Sequence, residues 1–245
     1  MARARLHKHA LTSAALLLRA TPFADSDLIV RLFTERLGAV TALARGARKR
    51  NKRFSSLEPM HRLKVTFDVT PGREMVTLRE ARVSKPRLGL VTKLLPMRAA
   101  GKALSWLRAL TSERTPEPLL WRQTEALLDV LDEGGRNPAA YLALTGWCML
   151  EAAGWGLDLH ACVHCRRRAP ASRRVTLSVA KGGIVCRHCG GGEWSMRADE
   201  RGALLAISGE TATPTMGVEA IDEGCAELIV ALVERAIWVH GRAAR

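Results

Sequence analysis

The apolar and polar positions of this chain follow two different periods, and the change falls near residue 86. His61–Val69 alternates cleanly, with Leu63, Val65, Phe67 and Val69 on one side and Arg62, Lys64, Thr66 and Asp68 on the other. That period of two belongs to a strand buried on one face. Leu11–Arg19, Leu28–Thr34 and Ala39–Ala44 are further β-compatible runs, the middle one rich in β-branched residues. A fifth strand is predicted over Glu74–Val83, after the turn signal Pro71-Gly72. Five short strands in about 85 residues fit a small barrel or a sandwich, and the five-stranded oligonucleotide-binding barrel is one candidate that strand counting alone does not select.

Beyond Pro86 the spacing becomes helical. Met97–Leu110 places Ala100, Ala103, Leu104 and Leu107 on one face with Trp106 nearby, and Leu119–Glu133 does the same with Leu120, Thr124, Leu127, Leu128 and Leu131 before Gly134-Gly135. Pro138–Gly154 opens on a capping Asn137 with proline in the first helical position, and closes at Gly154. In Val218–Val239 the residues Ile221, Cys225, Leu228, Ile229, Leu232 and Ala236 form one apolar stripe, which is expected to dock on the helices at 97–154. The expected organisation is α+β. A β-domain spans 1–85, a helical domain spans 86–159 with 198–245, and a cysteine-rich module occupies 160–197 between them.

Charge sharpens this picture. The formal net charge is +14, and it is unevenly placed. Residues 1–85 hold 18 Lys/Arg against 7 Asp/Glu, residues 86–160 balance at 8 against 8, residues 161–198 hold 8 against 1, and residues 199–245 hold 4 against 8. Two basic blocks separated by a neutral one suit a polyanionic partner, nucleic acid being the commonest; arginine used merely for solubility would be spread evenly. No apolar run reaches the roughly 18 residues of a spanning helix. The short run Ala14–Leu18 behind a basic start is soon interrupted by Arg19, so no signal peptide is read and a cytoplasmic location is expected.

Six cysteines in such a chain argue against a disulfide framework. Four form two C-x-x-C knuckles, Cys162-Val-His-Cys165 and Cys186-Arg-His-Cys189, a spacing that turns four thiolates onto one tetrahedral metal position. Val175–Val185, with Gly182-Gly183 in it, is the expected hairpin of a zinc ribbon, and Gly190-Gly191-Gly192 gives the chain room to turn. A structural Zn²⁺ is the expected cofactor. Iron–sulfur ligation by the same four residues stays open, whereas a redox dithiol would use one pair in a thioredoxin-like unit. His160, His164 and His188 stand beside a shell that the thiolates already fill. Cys148 and Cys225 lie singly on apolar faces and read as core. Arg166, Arg167, Arg168, Arg173, Arg174, Lys181 and Arg187 surround the knuckles, more cations than a four-thiolate site needs for neutralisation, and the first five are a candidate second DNA contact.

The first basic block peaks at Arg45, Arg48, Lys49, Arg50, Lys52 and Arg53, six cations in nine residues with only Phe54 to anchor them. This reads as a mobile surface loop that tracks phosphates, joined by Arg31, Arg62 and Lys64 of the sheet into one positive DNA-binding surface. Its alternative is a solvated charge run. The first 85 residues hold four aromatics, Phe23, Phe33, Phe54 and Phe67, so few rings are available for base stacking and affinity should be mainly electrostatic.

The segment Leu17-Leu18-Arg19, then Asp25-Ser26-Asp27-Leu28-Ile29-Val30-Arg31-Leu32-Phe33-Thr34-Glu35-Arg36-Leu37-Gly38, resembles the N-terminal signature of the RecO family of recombination mediators. So does Ala44-Arg45-Gly46-Ala47-Arg48-Lys49. A further stretch, Asn137-Pro138 with Tyr141-Leu142 and Leu150-Glu151-Ala152-Ala153-Gly154-Trp155-Gly156-Leu157-Asp158-Leu159, leads into the first knuckle in the same manner. The resemblance covers about 190 residues in order. It implies an N-terminal oligonucleotide-binding barrel, a central helical domain and a zinc-binding module. It also implies binding of single- and double-stranded DNA, annealing of complementary strands, and work with RecR to load RecA on strands coated by single-strand-binding protein. The metal role then falls on Cys162, Cys165, Cys186 and Cys189, and the DNA role on the loop at 45–53. Arg98, Lys102, Arg108 and Arg122 are candidate cations for the acidic, apolar tail of single-strand-binding protein.

Catalytic signatures are missing from the sequence. There is no G-x-x-x-x-G-K-[ST] loop, no H-x-E with P-C-x-x-C of the zinc deaminases and no G-x-S-x-G elbow, so no enzymatic activity is expected. Two other readings stay open: a zinc-ribbon nucleic-acid-binding regulator of another pathway, and a metal-dependent nucleic-acid enzyme.

Overall fold

Residues 9–49, 53–54, 57–69, 75–207 and 217–243 are described by a computed structural model, in which the chain divides into two compact units. The first holds 1–93 with 111–121, the second 94–110 with 122–245.

In the first unit the strands β1 (His9–Phe23), β2 (Asp27–Thr34), β3 (Gly38–Ala44), β4 (Arg62–Val69) and β5 (Val76–Lys85) close a barrel in the order β1-β2-β3-β5-β4. All five expected strands are present, and the closure and order are those of an oligonucleotide-binding barrel. The expected turn at Pro71-Gly72 lies outside the described residues. β1 can serve two neighbours because it bends. Residues from His9 to Ala15 pair with β4, residues from Ala15 to Phe23 pair with β2, and a register shift between Leu17 and Arg19 turns the strand. Alternation drives the closure: Leu63, Val65 and Phe67 are fully buried beside Val30, Leu32, Ala42 and Leu78, while Lys64 is exposed. Each large apolar side chain so buried contributes roughly 1.5–3 kcal/mol.

The outer face of β2 is covered as well. The segment Thr111–Trp121 lies over it, with Trp121 against Phe33 at 5.8 Å between ring centroids and Arg31 Nη2 donating to the Thr111 carbonyl at 2.9 Å. The same segment runs beside β3, where Arg114 N donates to the Ala39 carbonyl at 2.7 Å. Gly38 permits this approach: its φ is +68° and the Thr115 carbonyl occupies the place of a Cβ. Gly38→Ala therefore meets left-handed strain of roughly 1–2 kcal/mol and a backbone collision. The expected loss is about 3 kcal/mol in all, read as a lower urea midpoint at unchanged m-value.

The second unit is built on α2 (Leu94–Leu110), α3 (Pro118–Asp132, from residue 122 onward), α4 (Pro138–Ala152), α5 (Ala198–Ile207) and α6 (Glu223–Ala243). A short α1 (Leu88–Val91) belongs to the first unit. Apart from Tyr141, α4 is buried throughout Ala140 to Leu150, so it is the centre of its unit, with α6 and α2 packed on it. Its start is fixed as expected: Asn137 Oδ1 accepts from Ala140 N at 3.1 Å, ahead of Pro138. At its end Gly154 takes φ +74° and Trp155 N returns to the Leu150 carbonyl at 2.8 Å. The expected stripe docks: Cys225, Ile229, Leu232 and Ala236 of α6 are buried, as is Ile221 just ahead of it, while Leu228 is half-buried. The helix starts later than Val218, at Glu223, because Asp222 Oδ1 caps it by accepting from Cys225 N at 2.6 Å. Cys148 and Cys225 are core residues, and burial pushes their thiols up to about 12 and about 11. Among the described residues no helix is long and apolar enough to cross a membrane.

Candidate metal centre and nucleic-acid interface

The cysteine module begins where Asp158 leaves α4's exit loop. Its backbone pairs with the turn of a hairpin: Asp158 N donates to the Gly182 carbonyl at 2.9 Å and Ile184 N to the Asp158 carbonyl at 3.0 Å. Gly183 must be glycine there, since its φ is +154° and a Cβ would strike the Asp158 backbone. The Asp158 carboxylate then accepts from His160 N at 2.8 Å and Ala161 N at 3.2 Å, which curls the chain into the first knuckle. The expected ribbon hairpin forms from β6 (Val175–Ser178) and β7 (Gly183–Ile184), and β8 (Trp194–Met196) adds a third strand against β6.

Each knuckle is a hydrogen-bonded turn. Arg166 N donates to the Cys162 carbonyl at 2.9 Å, with Arg166 at φ +59°. In the second, Cys189 N and Gly191 N both return to the Cys186 carbonyl, at 2.9 and 3.0 Å, through Gly190 at φ +96°. The two turns bring Cys162, Cys165, Cys186 and Cys189 together with all four sulfurs within 4.8 Å of one another. The Cys165–Cys186 sulfur separation is 3.7 Å. A tetrahedron with metal–sulfur bonds of about 2.3 Å has an edge of about 3.8 Å, so the four residues can hold a metal ion. The N–H groups of Cys165 and Cys186 point at the buried Cys162 sulfur and hold its thiol down at about 6, while proton sharing with Cys186 pushes Cys189 up to about 12. A metal cation held by the four sulfurs would take the place of those shared protons. His160, His164 and His188 are exposed around the cluster.

Among the described cations of the basic loop, Arg45, Arg48, Lys49 and Arg53 are exposed; Arg50 and Lys52 lie outside the described residues. Phe54 is the anchor its sequence position suggests, buried and bridged to Ala81, whose N–H donates to the Arg53 carbonyl at 2.9 Å. A second anchor was not legible in the sequence. Residues 45–49 are fastened to the β1–β2 turn: Gly46 N donates to Asp27 Oδ1 at 2.8 Å, and Arg48 N to the Ser26 carbonyl at 3.0 Å. Ala81 is opposite Val65, so the loop's far end comes back to the register position next to the exposed Lys64. Arg62 and Arg31 are half-buried, and Arg31 is engaged by Thr111. Phe33, Phe54 and Phe67 are inside; Phe23, at the same β1–β2 turn, is 47% exposed.

The second cationic group, Arg166, Arg167, Arg168, Arg173 and Arg174, is exposed around the first knuckle and β6. Arg166 stands 3.7 Å from the Asp158 carboxylate. On the helices Arg98, Arg108 and Arg122 are exposed, and Lys102 pairs with Glu234 at 2.7 Å.

The family model described as recombination protein O N terminal matches residues 9–87, and that described as recombination protein O C terminal matches residues 99–210. The DNA repair protein RecO of Anaeromyxobacter sp. (strain Fw109-5) is 31% identical over 224 residues, which cover 86% of this chain and 87% of its own. That of Geobacter sulfurreducens is 32% identical over 183 residues, 74% of each chain. That of Rhodopirellula baltica is 29% identical over 210 residues, 85% of this chain and 77% of its own. The matches run in chain order across the barrel, the helices and both cysteine knuckles, and with this degree of identity along most of both chains they show that the protein belongs to the RecO family of DNA repair proteins.

Proposed function

We propose that this chain is a non-catalytic recombination mediator of the cytoplasm that binds single- and double-stranded DNA and anneals complementary strands. In this reading it works with RecR to load recombinase on strands coated by single-strand-binding protein. The observation that carries the proposal is the loop at 45–49, whose exposed Arg45, Arg48 and Lys49 are held on the barrel by backbone bonds to the Asp27 turn. Cations fixed on a surface neutralise phosphates without first losing the freedom of a loose loop. Annealing asks for no proton transfer or nucleophile. A positive surface reduces repulsion between two backbones and raises local strand concentration, and base pairing supplies the driving force.

The metal is proposed to be Zn²⁺, since four thiolates in a closed tetrahedron leave no position for water and suit a structural site. For the tail of single-strand-binding protein, the start of α2 has the matching chemistry. Leu94, Leu95 and Met97 are exposed there beside Arg98, whereas Lys102 is already paired.

Binding of a single-stranded oligonucleotide measured over a salt series tests the reading. Four neutralised phosphates give a slope of log K against log salt near −3. A slope near zero, or failure to speed annealing of complementary strands with and without single-strand-binding protein, refutes it. Strand cleavage on adding Mg²⁺ would point to the enzyme alternative.

A further inference from the structure

Beside the thiol cluster the module opens a cleft of about 600 Å³ whose walls carry Arg167, Arg168, Arg173, Arg174 and Arg187. All five are exposed, and no Asp or Glu lines the cleft. Arg174 donates to Ser195 Oγ at 3.4 Å; the other four have no carboxylate partner among the described residues. Hydroxyl groups of Ser172, Thr176 and Ser195 share the lining, and no aromatic side chain does.

The arginines are held together by the backbone rather than by counter-charges. Cys162 N donates to the Arg167 carbonyl at 3.0 Å, Ala169 N to the His160 carbonyl at 2.9 Å, and the buried Arg201 of α5 clamps the Pro170 carbonyl at 2.7 Å. Arg187 sits between two of the thiols, in the turn that closes at Gly190. A frame that fixes five like charges around a concave surface without an acid among them is arranged for an external anion. Guanidinium forks and hydroxyls recognise phosphate oxygens. The volume exceeds what one phosphate fills, and the lack of rings leaves bases unread. An acidic, apolar peptide would need an apolar slot, and Val175, Ile184 and Val185 on the cleft floor are buried.

The geometry points to a second phosphodiester-binding site in this cleft, separate from the barrel loop, so that one chain holds two nucleic-acid strands at once. The first strand's place on the barrel is the reading proposed above, on which this second site rests. A second strand also accounts for the basic block of the module, since four thiolates and Zn²⁺ carry only a double negative charge.

The test uses the full chain and two short single strands of unrelated sequence, one labelled with a donor and one with an acceptor, so that energy transfer reports both strands on the protein. The variant Arg167→Gln/Arg168→Gln/Arg173→Gln/Arg174→Gln is expected to reduce this bridging by ~10-fold or more, with first-strand affinity changed by less than ~3-fold. Ser172→Asp, which adds a carboxylate to the cleft and leaves every arginine in place, is expected to act in the same direction and decides the matter if the fourfold variant does not fold. Bridging that both variants leave intact overturns the proposal while the loop assignment stands. If the wild type binds neither strand, the barrel reading itself has failed. Displacement of the second strand by stoichiometric inorganic pyrophosphate would make this a free-anion site, and tighter displacement by an acidic peptide would make it a protein-docking site; either result overturns the strand assignment.

Discussion

Cys186→Ser is expected to purify without bound metal where the wild type carries one ion per chain, and to lose the fold of the module from Asp158 to Met196. The reason is the size of its core. Leu177, Val179, Ile184, Val185 and Met196 are fully or almost fully buried, but the three strands they occupy or flank are two to four residues long. A segment of about 40 residues buries too little apolar surface to fold without a metal or a cross-link. A structural zinc site of this type supplies an apparent ~10–16 kcal/mol, more than such a module retains otherwise. Cys186 is the severest single choice. Its sulfur lies 3.7 Å from Cys165, its N–H reaches the Cys162 sulfur at 3.4 Å, and its carbonyl closes the second knuckle. Elemental analysis should show the metal lost, and trypsin should cut at Arg166–Arg174 faster than it cuts the wild type. The barrel is a separate compact unit, so its thermal transition should stay in place. Retained metal with unchanged cleavage would refute the structural role.

The strands of the barrel and the knuckles were legible in the sequence because each follows from a local rule, whereas the choice of a closed barrel over a sandwich came from the family resemblance. Alternation at 61–69 fixes which side chains of β4 face inward, and C-x-x-C spacing is a property of a single turn. What stayed hidden depends on partners distant in the chain. β2 does not alternate cleanly, since Phe33 and Arg31 on its outer face are covered by residues 111–121. That segment has no periodic pattern, and its docking rests on backbone bonds and on the missing side chain of Gly38. α5 escaped notice for a related reason. Its buried set is Glu200, Arg201, Leu204 and Ile207, two of them charged, so it shows no apolar stripe. Glu200 accepts from Arg197 N at 2.6 Å and pairs with Arg197 Nε at 3.2 Å, and Arg201 Nη2 donates to the Pro170 carbonyl. Nothing in the local sequence marks the structural roles of Asp27 and Asp158. Their carboxylates accept backbone N–H groups, and in doing so they set the basic loop and the first knuckle.

Arg45→Gln/Arg48→Gln/Lys49→Gln is expected to weaken binding of single-stranded DNA by ~100-fold near 0.1 M salt, and to flatten the salt slope by about 2. The magnitude follows from counterion release: each lost phosphate contact on a single strand removes about 0.7 from the slope, hence roughly 0.7 of a decade in affinity at that concentration. Glutamine keeps length and hydrogen-bonding capacity, so charge is what changes. The fold should be unaffected, because Arg48's side-chain bonds to the Ala24 and Asp25 carbonyls are long, both 3.4 Å, while the anchors Gly46–Asp27 and Phe54–Ala81 remain. Asp27→Ala separates position from charge. It removes the acceptor that fastens Gly46 and leaves every cation in the loop. Affinity is then expected to fall by ~10-fold or less with the slope preserved, since the same phosphates are neutralised by groups that must first be ordered. If the triple variant anneals complementary strands as fast as the wild type, the loop is not the DNA contact. If instead Asp27→Ala flattens the slope as much as the triple variant does, the loop acts through its fold rather than through its charge.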